Sequence, residues 1–124
     1  MNNGKIASFT DLNAWKEAHK LVLLIYKLTR NFPKEEVYSL VDQLHRAAIS
    51  IVSNIAEGFS RESYKEKAQF YSIARGSTTE IQSQLLIARD LNYVTKETFY
   101  EAATLTVIVH KLLSGLIKSS KSRK

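Results

Sequence analysis

The stretch from Ser50 to Leu86, SIVSNIAEGFSRESYKEKAQFYSIARGSTTEIQSQLL, constrains the fold of this chain more than any other. Ser63 and Glu66 have the S-x-x-E spacing of a capping box, which predicts that a long helix begins near Ser63. Gly58 is predicted to end the preceding helix, because glycine adopts the left-handed C-terminal conformation without steric cost. The sequence therefore predicts two long helices joined by a tight turn at Gly58–Ser60.

Polar side chains recur along one side of each of these helices. On the first they fall within a sector of roughly 80°, at about 100° per residue. They are Gln43, Arg46, Ser50, Asn54, Glu57 and Arg61. The second helix carries a similar stripe of Gln69, Ser77, Glu80 and Gln84, with Gly76 beside it. Since glycine in mid-helix is unfavourable in isolation, Gly76 predicts the close approach of another backbone.

We interpret these stripes as an interface or polar network that fixes helix register and oligomer geometry. Buried charges are usually paired, so we expect Asn54 and Glu57 to bond with Ser77 and Glu80, or with Arg46 and Arg61 across a subunit boundary. Side chains so placed can face solvent, a neighbouring helix or a neighbouring subunit. A ligand-contacting surface is the alternative interpretation.

Apolar periodicity and capping residues predict four helices, over about 12–31, 34–57, 63–91 and 96–118. Thr10 or Asp11 is predicted to cap the first helix and Thr95 the fourth, and Asn92 to end the third in the left-handed conformation. Short connections between such helices are typical of an all-α, up-down-up-down four-helix bundle with left-handed packing. Residues 1–10 are predicted to be a flexible leader and residues 118–124 a basic tail.

Apolar residues define the predicted core. The core stripe of the second helix is predicted to run from Val37 to Phe59, and that of the third to begin at Tyr64. The first helix is apolar around most of its circumference, with Leu21, Leu23, Leu24 and Leu28 on several faces. Such a helix is usually buried on more than one side, and another subunit is the expected second surface.

Several functional classes lack support in the sequence. There is no cysteine, no signal-peptide core and no apolar run of the length that crosses a bilayer, so we expect a cytoplasmic protein with no membrane partner. His19, His45 and His110 lie on three different predicted helices without metal-site spacing, and we expect them to be surface or boundary residues. Glu57 and Glu80 are a weak candidate acid pair. We predict no catalytic residue, no metal and no cofactor.

Two motifs, NIAEG and IARGS-x-x-E, follow an N-terminal segment with the sequence DLNAWKEAHKLVLLIYKLTRNFP. Over nearly the whole chain, from Asp11 to about Ile117, this pattern resembles the four-helix bundle family of 23S rRNA intervening-sequence proteins. It is also similar to the accessory variability protein of diversity-generating retroelements, a basic pentamer implicated in binding nucleic acid and a reverse transcriptase. The resemblance implies a homopentamer of up-and-down bundles and no established enzymatic activity.

The basic residues support a more specific functional hypothesis, the binding of nucleic acid. The formal net charge is +6, and residues 118–124 contain four basic groups and no acid. Charge-led binding of RNA or DNA, or service as an accessory subunit of a nucleic-acid enzyme, is the predicted function. The candidate contacts are Lys16, Lys20, Lys27, Arg61, Lys65, Lys67, Lys118, Lys121, Arg123 and Lys124. The alternative is a protein-interaction scaffold whose polar stripe only fixes the oligomer.

Overall fold

A computed structural model describes residues 5–123, and every regular element in that range is helical. A 3-10 turn at Phe9–Asp11 precedes helix α1 (Asn13–Thr29), and a second 3-10 turn at Lys34–Glu36 precedes α2 (Leu40–Ser60). Helices α3 (Tyr64–Asp90) and α4 (Lys96–Lys121) complete the chain. The all-α prediction is therefore confirmed.

The four helices form a bundle around one core. Helices α1 and α3 each pack against both α2 and α4, and within residues 5–123 the backbones of α1 and α3, and those of α2 and α4, do not approach closely. Contacts Ser50–Ser77 and Gly58–Tyr71 show that α2 and α3 are antiparallel. The largest fully buried side chains come from all four helices: Leu21, Ile25, Leu44, Ile51, Ile55, Thr78, Ile81, Leu85, Thr106, Val109 and Leu113. The left-handed twist and the full up-down-up-down order stay predictions.

The predicted caps of α3 and α4 are confirmed. The Ser63 hydroxyl accepts a hydrogen bond from the Glu66 backbone N–H at 3.1 Å, and the Thr95 hydroxyl accepts one from the Thr98 N–H at 3.1 Å. Asn92 has φ 62°, the left-handed conformation, and the following N–H of Tyr93 reaches back to the Ala88 carbonyl at 2.9 Å. This hydrogen bond satisfies a carbonyl that the end of α3 would otherwise leave unpaired.

The N-terminal segment is more ordered than predicted. Residues 1–4 lie outside the described residues, but Phe9–Asp11 form a turn that the Ser8 hydroxyl caps, and the Asp11 carboxylate accepts the Ser8 N–H at 3.0 Å. The Phe9 ring packs edge-on against Trp15 at 5.6 Å. The prediction that Thr10 or Asp11 caps α1 is therefore wrong: Asp11 closes the preceding turn, and the N-cap of α1 is Leu12, with no side-chain hydrogen bond.

Helix α2 begins six residues later than predicted, at Leu40 rather than position 34. The reason is the turn at Lys34–Glu36, where the Glu36 carboxylate accepts hydrogen bonds from Ser39 and from Tyr93 in the α3–α4 connection, at 2.6 and 2.8 Å. These bonds lower the pKa of Glu36, that of Ser39 having the larger effect. Val37 is consequently 46% exposed, and its prediction as a core residue is wrong.

Gly58 does not end α2. The helix continues through it to Ser60, and Gly58 is buried without a left-handed backbone. A Cβ atom at this position would lie 2.8 Å from Cε1 of Tyr71 and 3.0 Å from Cβ of Phe70, so glycine is needed for close packing against α3. The end of α2 is instead capped from α3, because the Lys67 ammonium donates to the Phe59 carbonyl at 2.7 Å.

Three further expectations for the helices need correction. A Cβ at Gly76 would meet nothing within 4 Å, so the predicted close approach of a backbone does not occur within residues 5–123. Tyr64 is exposed rather than part of the core stripe of α3, since it lies at the first position of the helix. The predicted basic tail, residues 118–124, is helical as far as Lys121, and Ser120 within it is buried.

Helix α4 is the one helix in residues 5–123 that is long and apolar enough to cross a membrane by length and composition alone. Its apolar side belongs to the bundle core, where Ala102, Val109 and Leu113 are completely buried. Only 28% of its most apolar stretch is buried within the described residues, and one such helix is weak evidence for a membrane span.

Candidate functional site

The polar stripe of α2 meets that of α3 at one hydrogen-bonded centre. The Ser77 hydroxyl, almost completely buried, donates to the Ser50 hydroxyl at 2.9 Å. The Asn54 amide donates to the Ser50 carbonyl at 2.8 Å and approaches its hydroxyl at 3.1 Å. At its centre the stripe therefore faces the neighbouring helix, and Asn54 bonds within α2 rather than with Ser77 as expected.

Charged residues occupy the ends of this polar seam, which comprises the stripe residues of α2 and α3. The Glu57 carboxylate pairs with the Arg61 guanidinium of the same chain at 3.1 Å, and that guanidinium lies 4.7 Å from the Phe70 ring centre. Gln43, Arg46 and Glu80 are exposed. These three side chains thus face solvent in the single chain, whereas Gln84 is partly buried.

Glu57 and Glu80 do not form the imagined acid pair. Glu57 lies two turns beyond Ser50 along α2, and Glu80 lies one turn beyond Ser77 along α3, which runs in the opposite direction. At about 1.5 Å of rise per residue, the backbone positions of the two residues are about 15 Å apart along the bundle. No group of three or more His, Asp or Glu side chains suited to a metal ion occurs in the described residues either.

The basic residues converge elsewhere, at one end of the bundle. Lys65 on the first turn of α3 and Lys121 and Arg123 at the end of α4 line the same groove, of about 750 Å³. The floor and remaining walls are formed by Ala68, Gln69, Ser72, Ile73 and Ser120. Because α3 begins where α4 ends, residues more than fifty positions apart in the chain share one surface. We call this surface the basic groove.

Arg123 is positioned by an aromatic ring. Its guanidinium carbon lies 5.4 Å from the centre of the Tyr64 ring, and one guanidinium nitrogen donates to the Tyr64 hydroxyl at 3.4 Å. No acidic side chain is among the described residues that line the groove. The result is an open, positively charged cleft with apolar, amide and hydroxyl groups between the charges.

Other predicted basic residues have separate locations. Lys16 and Lys20 lie beside Trp15 and Ile108 in a cleft between α1 and α4, and Lys20 pairs with Glu17 at 3.0 Å. Lys27 lies near the opposite end, against the α3–α4 connection. Lys118 is exposed on α4, whereas Lys124 lies outside the described residues.

Two further predicted basic contacts also have partners within the chain. These are Lys67, which donates to the end of α2, and Arg61, which pairs with Glu57. The set that the structure brings together is therefore Lys65, Lys121 and Arg123.

A polar cluster that the sequence did not reveal joins α1 to α2. The His45 ring stacks on Tyr26 at 3.8 Å, and its Nε2 lies 2.9 Å from the Thr29 hydroxyl. Because that hydroxyl donates its single proton to the Ile25 carbonyl at 2.8 Å, it accepts the bond from His45. Burial lowers the pKa of His45, against a smaller opposing effect of Asp42. The partners lie sixteen or more positions away in the chain, beyond the reach of a periodicity argument.

The fold and the site define an all-helical bundle with a polar seam and a basic groove, and comparison with known proteins gives it a family. The chain belongs to the 23S rRNA-intervening sequence protein family, whose model matches residues 10–115. The predicted membership is thereby confirmed, whereas the similarity to retroelement proteins stays a prediction.

A solved structure supports the fold. The chain is similar to a crystal structure of a protein of unknown function from the S23 ribosomal protein family of Bacteroides thetaiotaomicron. The TM-score is 0.78 at 22% sequence identity, over 85% of this chain and 95% of that chain. No curated protein matches this chain.

Proposed function

We propose that this protein is a non-enzymatic nucleic-acid-binding bundle, acting alone or as an accessory subunit of a nucleic-acid enzyme, and that the basic groove contacts phosphates. The observation that supports this proposal is the convergence of Lys65, Lys121 and Arg123 on one cleft that no described acidic side chain lines. Lys and Arg side chains release counterions from nucleic acid when they neutralise phosphates, which gives affinity without sequence readout.

The charge of α4 strengthens the proposal. After Glu101 the helix has no acidic residue, whereas Lys111, Lys118 and Lys121 are basic and exposed. The positive charge at this end of α4 is therefore not neutralised along the helix itself. No base-reading helix is implied, because the groove lies between two helices of the bundle.

The test compares two triple variants of the full chain that remove the same charge. The groove variant is Lys65→Gln/Lys121→Gln/Arg123→Gln, and the control is Arg30→Gln/Lys34→Gln/Lys96→Gln. All three control residues are exposed and lie at the other end of the bundle. Affinity for labelled RNA and DNA is measured by fluorescence anisotropy at about 50 and 200 mM salt.

We expect the wild-type affinity to fall steeply with salt. The groove variant should bind more weakly and lose about two to three units of salt slope, since each phosphate contact contributes roughly 0.7 to 0.9. The control variant should keep most of the wild-type affinity and most of the salt slope. Equal losses in the two variants would remove the groove from the proposal, and no binding by the wild type at low salt would end it.

Exposed apolar side chains support the second candidate, an interaction scaffold. Leu23 on α1, Ile73 and Ile87 on α3, and Val107 and Ile108 on α4 are each 40% exposed or more. In this alternative they are covered by other copies of the chain, in the homopentamer that the family resemblance implies, or by a protein partner.

The scaffold has its own test. Light scattering is expected to report about five chains per particle with no salt-sensitive nucleic-acid affinity. Asn54→Leu or Glu57→Leu, which disrupt the polar seam, should then reduce the particle mass. A monomer in solution, with the exposed apolar residues uncovered, would reject self-assembly.

A further inference from the structure

The basic groove contains more than charge. Tyr64 stands at its edge with 36% of its surface exposed, and Arg123 lies over its ring. Between the basic residues, the groove offers the Gln69 amide and the Ser72 hydroxyl, neither of which has a hydrogen-bond partner among residues 5–123. Ile73, 53% exposed, adds an apolar surface.

These groups suit one form of nucleic acid better than the other. In a duplex the base faces are stacked inside and the Watson–Crick edges are paired, so an aromatic ring and an open amide gain little from them. A single strand exposes both the faces and the edges of its bases, and it is bound by grooves that combine basic side chains with aromatic ones. Arginine beside tyrosine extends the stacking surface, because a guanidinium also stacks on bases.

We propose that the basic groove binds single-stranded nucleic acid, with phosphates at Lys65, Lys121 and Arg123, a base stacked against Tyr64, and base edges at Gln69 and Ser72. This inference rests on the proposed function and adds the substrate class to it. The groove is sequence-tolerant, because every base has a π-face and the polar groups are few.

The experiment measures binding of the full chain to a labelled single strand and to the duplex of the same sequence, at about 50 mM salt. Tyr64→Leu removes the ring and keeps an apolar side chain, and Tyr64→Phe keeps the ring and removes the hydroxyl bonded to Arg123. Tyr100→Leu is the matched control, because Tyr100 is 72% exposed near the start of α4, far from the groove. Circular dichroism verifies that each variant is folded.

We expect the wild type to prefer the single strand. Tyr64→Leu should weaken single-strand binding by about 5- to 150-fold, the range for losing one stacked base, and leave duplex binding nearly unchanged. Tyr100→Leu should bind the single strand like the wild type, and Tyr64→Phe should lose much less affinity than Tyr64→Leu. If Tyr64→Phe loses as much affinity as Tyr64→Leu, the effect comes from the contact with Arg123. That result would overturn the proposal that a base stacks against Tyr64.

The remaining outcomes separate this inference from the proposed function. Equal affinity for single strand and duplex, unchanged in Tyr64→Leu but weakened in the groove triple variant, would overturn the single-strand inference and leave phosphate binding intact. Binding to neither form would overturn both.

Discussion

Replacing Gly58 with alanine inserts one carbon atom into a close contact between α2 and α3. The new Cβ would lie 2.8 Å from Cε1 and 3.0 Å from Cδ1 of Tyr71, and 3.0 Å from Cβ of Phe70. Tyr71 is buried and Phe70 Cβ is fixed to the α3 backbone, so neither atom can move aside easily. The expected overpacking cost is about 1–3 kcal/mol. Alanine at the same time favours the helix by about 1 kcal/mol, which leaves a net loss of about 0–2 kcal/mol.

The same substitution at Gly76 isolates the packing effect. An added Cβ there meets nothing within 4 Å, so Gly76→Ala should stabilise the protein by about 0.5–1 kcal/mol. Helix propensity cancels in the comparison, and Gly58→Ala should be less stable than Gly76→Ala by about 1–3 kcal/mol. Urea unfolding followed by circular dichroism, at one protein concentration, measures this difference.

A second background tests the cause. In Tyr71→Leu the two close ring atoms are absent, so the penalty of Gly58→Ala should shrink. The reasoning fails if Gly58→Ala is as stable as Gly76→Ala. It also fails if the penalty is unchanged in the Tyr71→Leu background.

Three further predictions follow from single contacts. Folding lowers the pKa of His45 from its usual value of 6.5. The contribution of the neutral His45 side chain to the free energy of unfolding is therefore complete above pH 6.5 and is lost as the pH falls through the lowered pKa. The unfolding curves of wild type and His45→Gln should accordingly converge on acidification. Lys67→Met removes the cap of α2 and should cost about 0.5–2 kcal/mol in urea unfolding, whereas Lys65→Met should stay within about 0.5 kcal/mol of wild type. Asn92→Ala should lower stability by about 1 kcal/mol and Asn92→Gly should not, since only glycine and asparagine tolerate φ 62° well; equal thermal midpoints would contradict this.

Local signals in the sequence are sufficient to place both ends of α3 and the start of α4. Ser63, Asn92 and Thr95 act on backbone groups within a few positions of themselves, so their roles can be read from spacing. The start of α2 is misplaced because the turn before it is held in part by the Tyr93–Glu36 hydrogen bond, which joins positions 57 residues apart. Periodicity carries no information about such a contact.

Gly58 shows a second limit of prediction from local sequence. Glycine serves both as a helix stop and as a close-contact residue inside a helix, and the residues that follow it did not distinguish these uses. The choice is made by the Tyr71 ring on another helix. A local rule therefore assigned a turn where the tertiary structure keeps a helix.

The candidate site was predicted in composition but not in arrangement. Ten basic residues were candidates, and the structure gathers Lys65, Lys121 and Arg123 while engaging Lys67 and Arg61 in contacts within the chain. Which lysines share a surface depends on the antiparallel packing of α3 and α4. In the polar seam, Ser77 donates to Ser50 rather than bonding to Asn54 as predicted.

The last turn of α4 couples charge to helical order. Lys121 lies in the turn that buries Ser120, just after the buried Ile117, and Arg123 follows directly. If this turn unfolds, Lys121 and Arg123 lose their fixed positions and the buried Ser120 becomes exposed together. Occupancy of the groove should accordingly slow amide hydrogen exchange at the end of α4, which makes the dynamics of the C-terminus a direct reporter of the bound state.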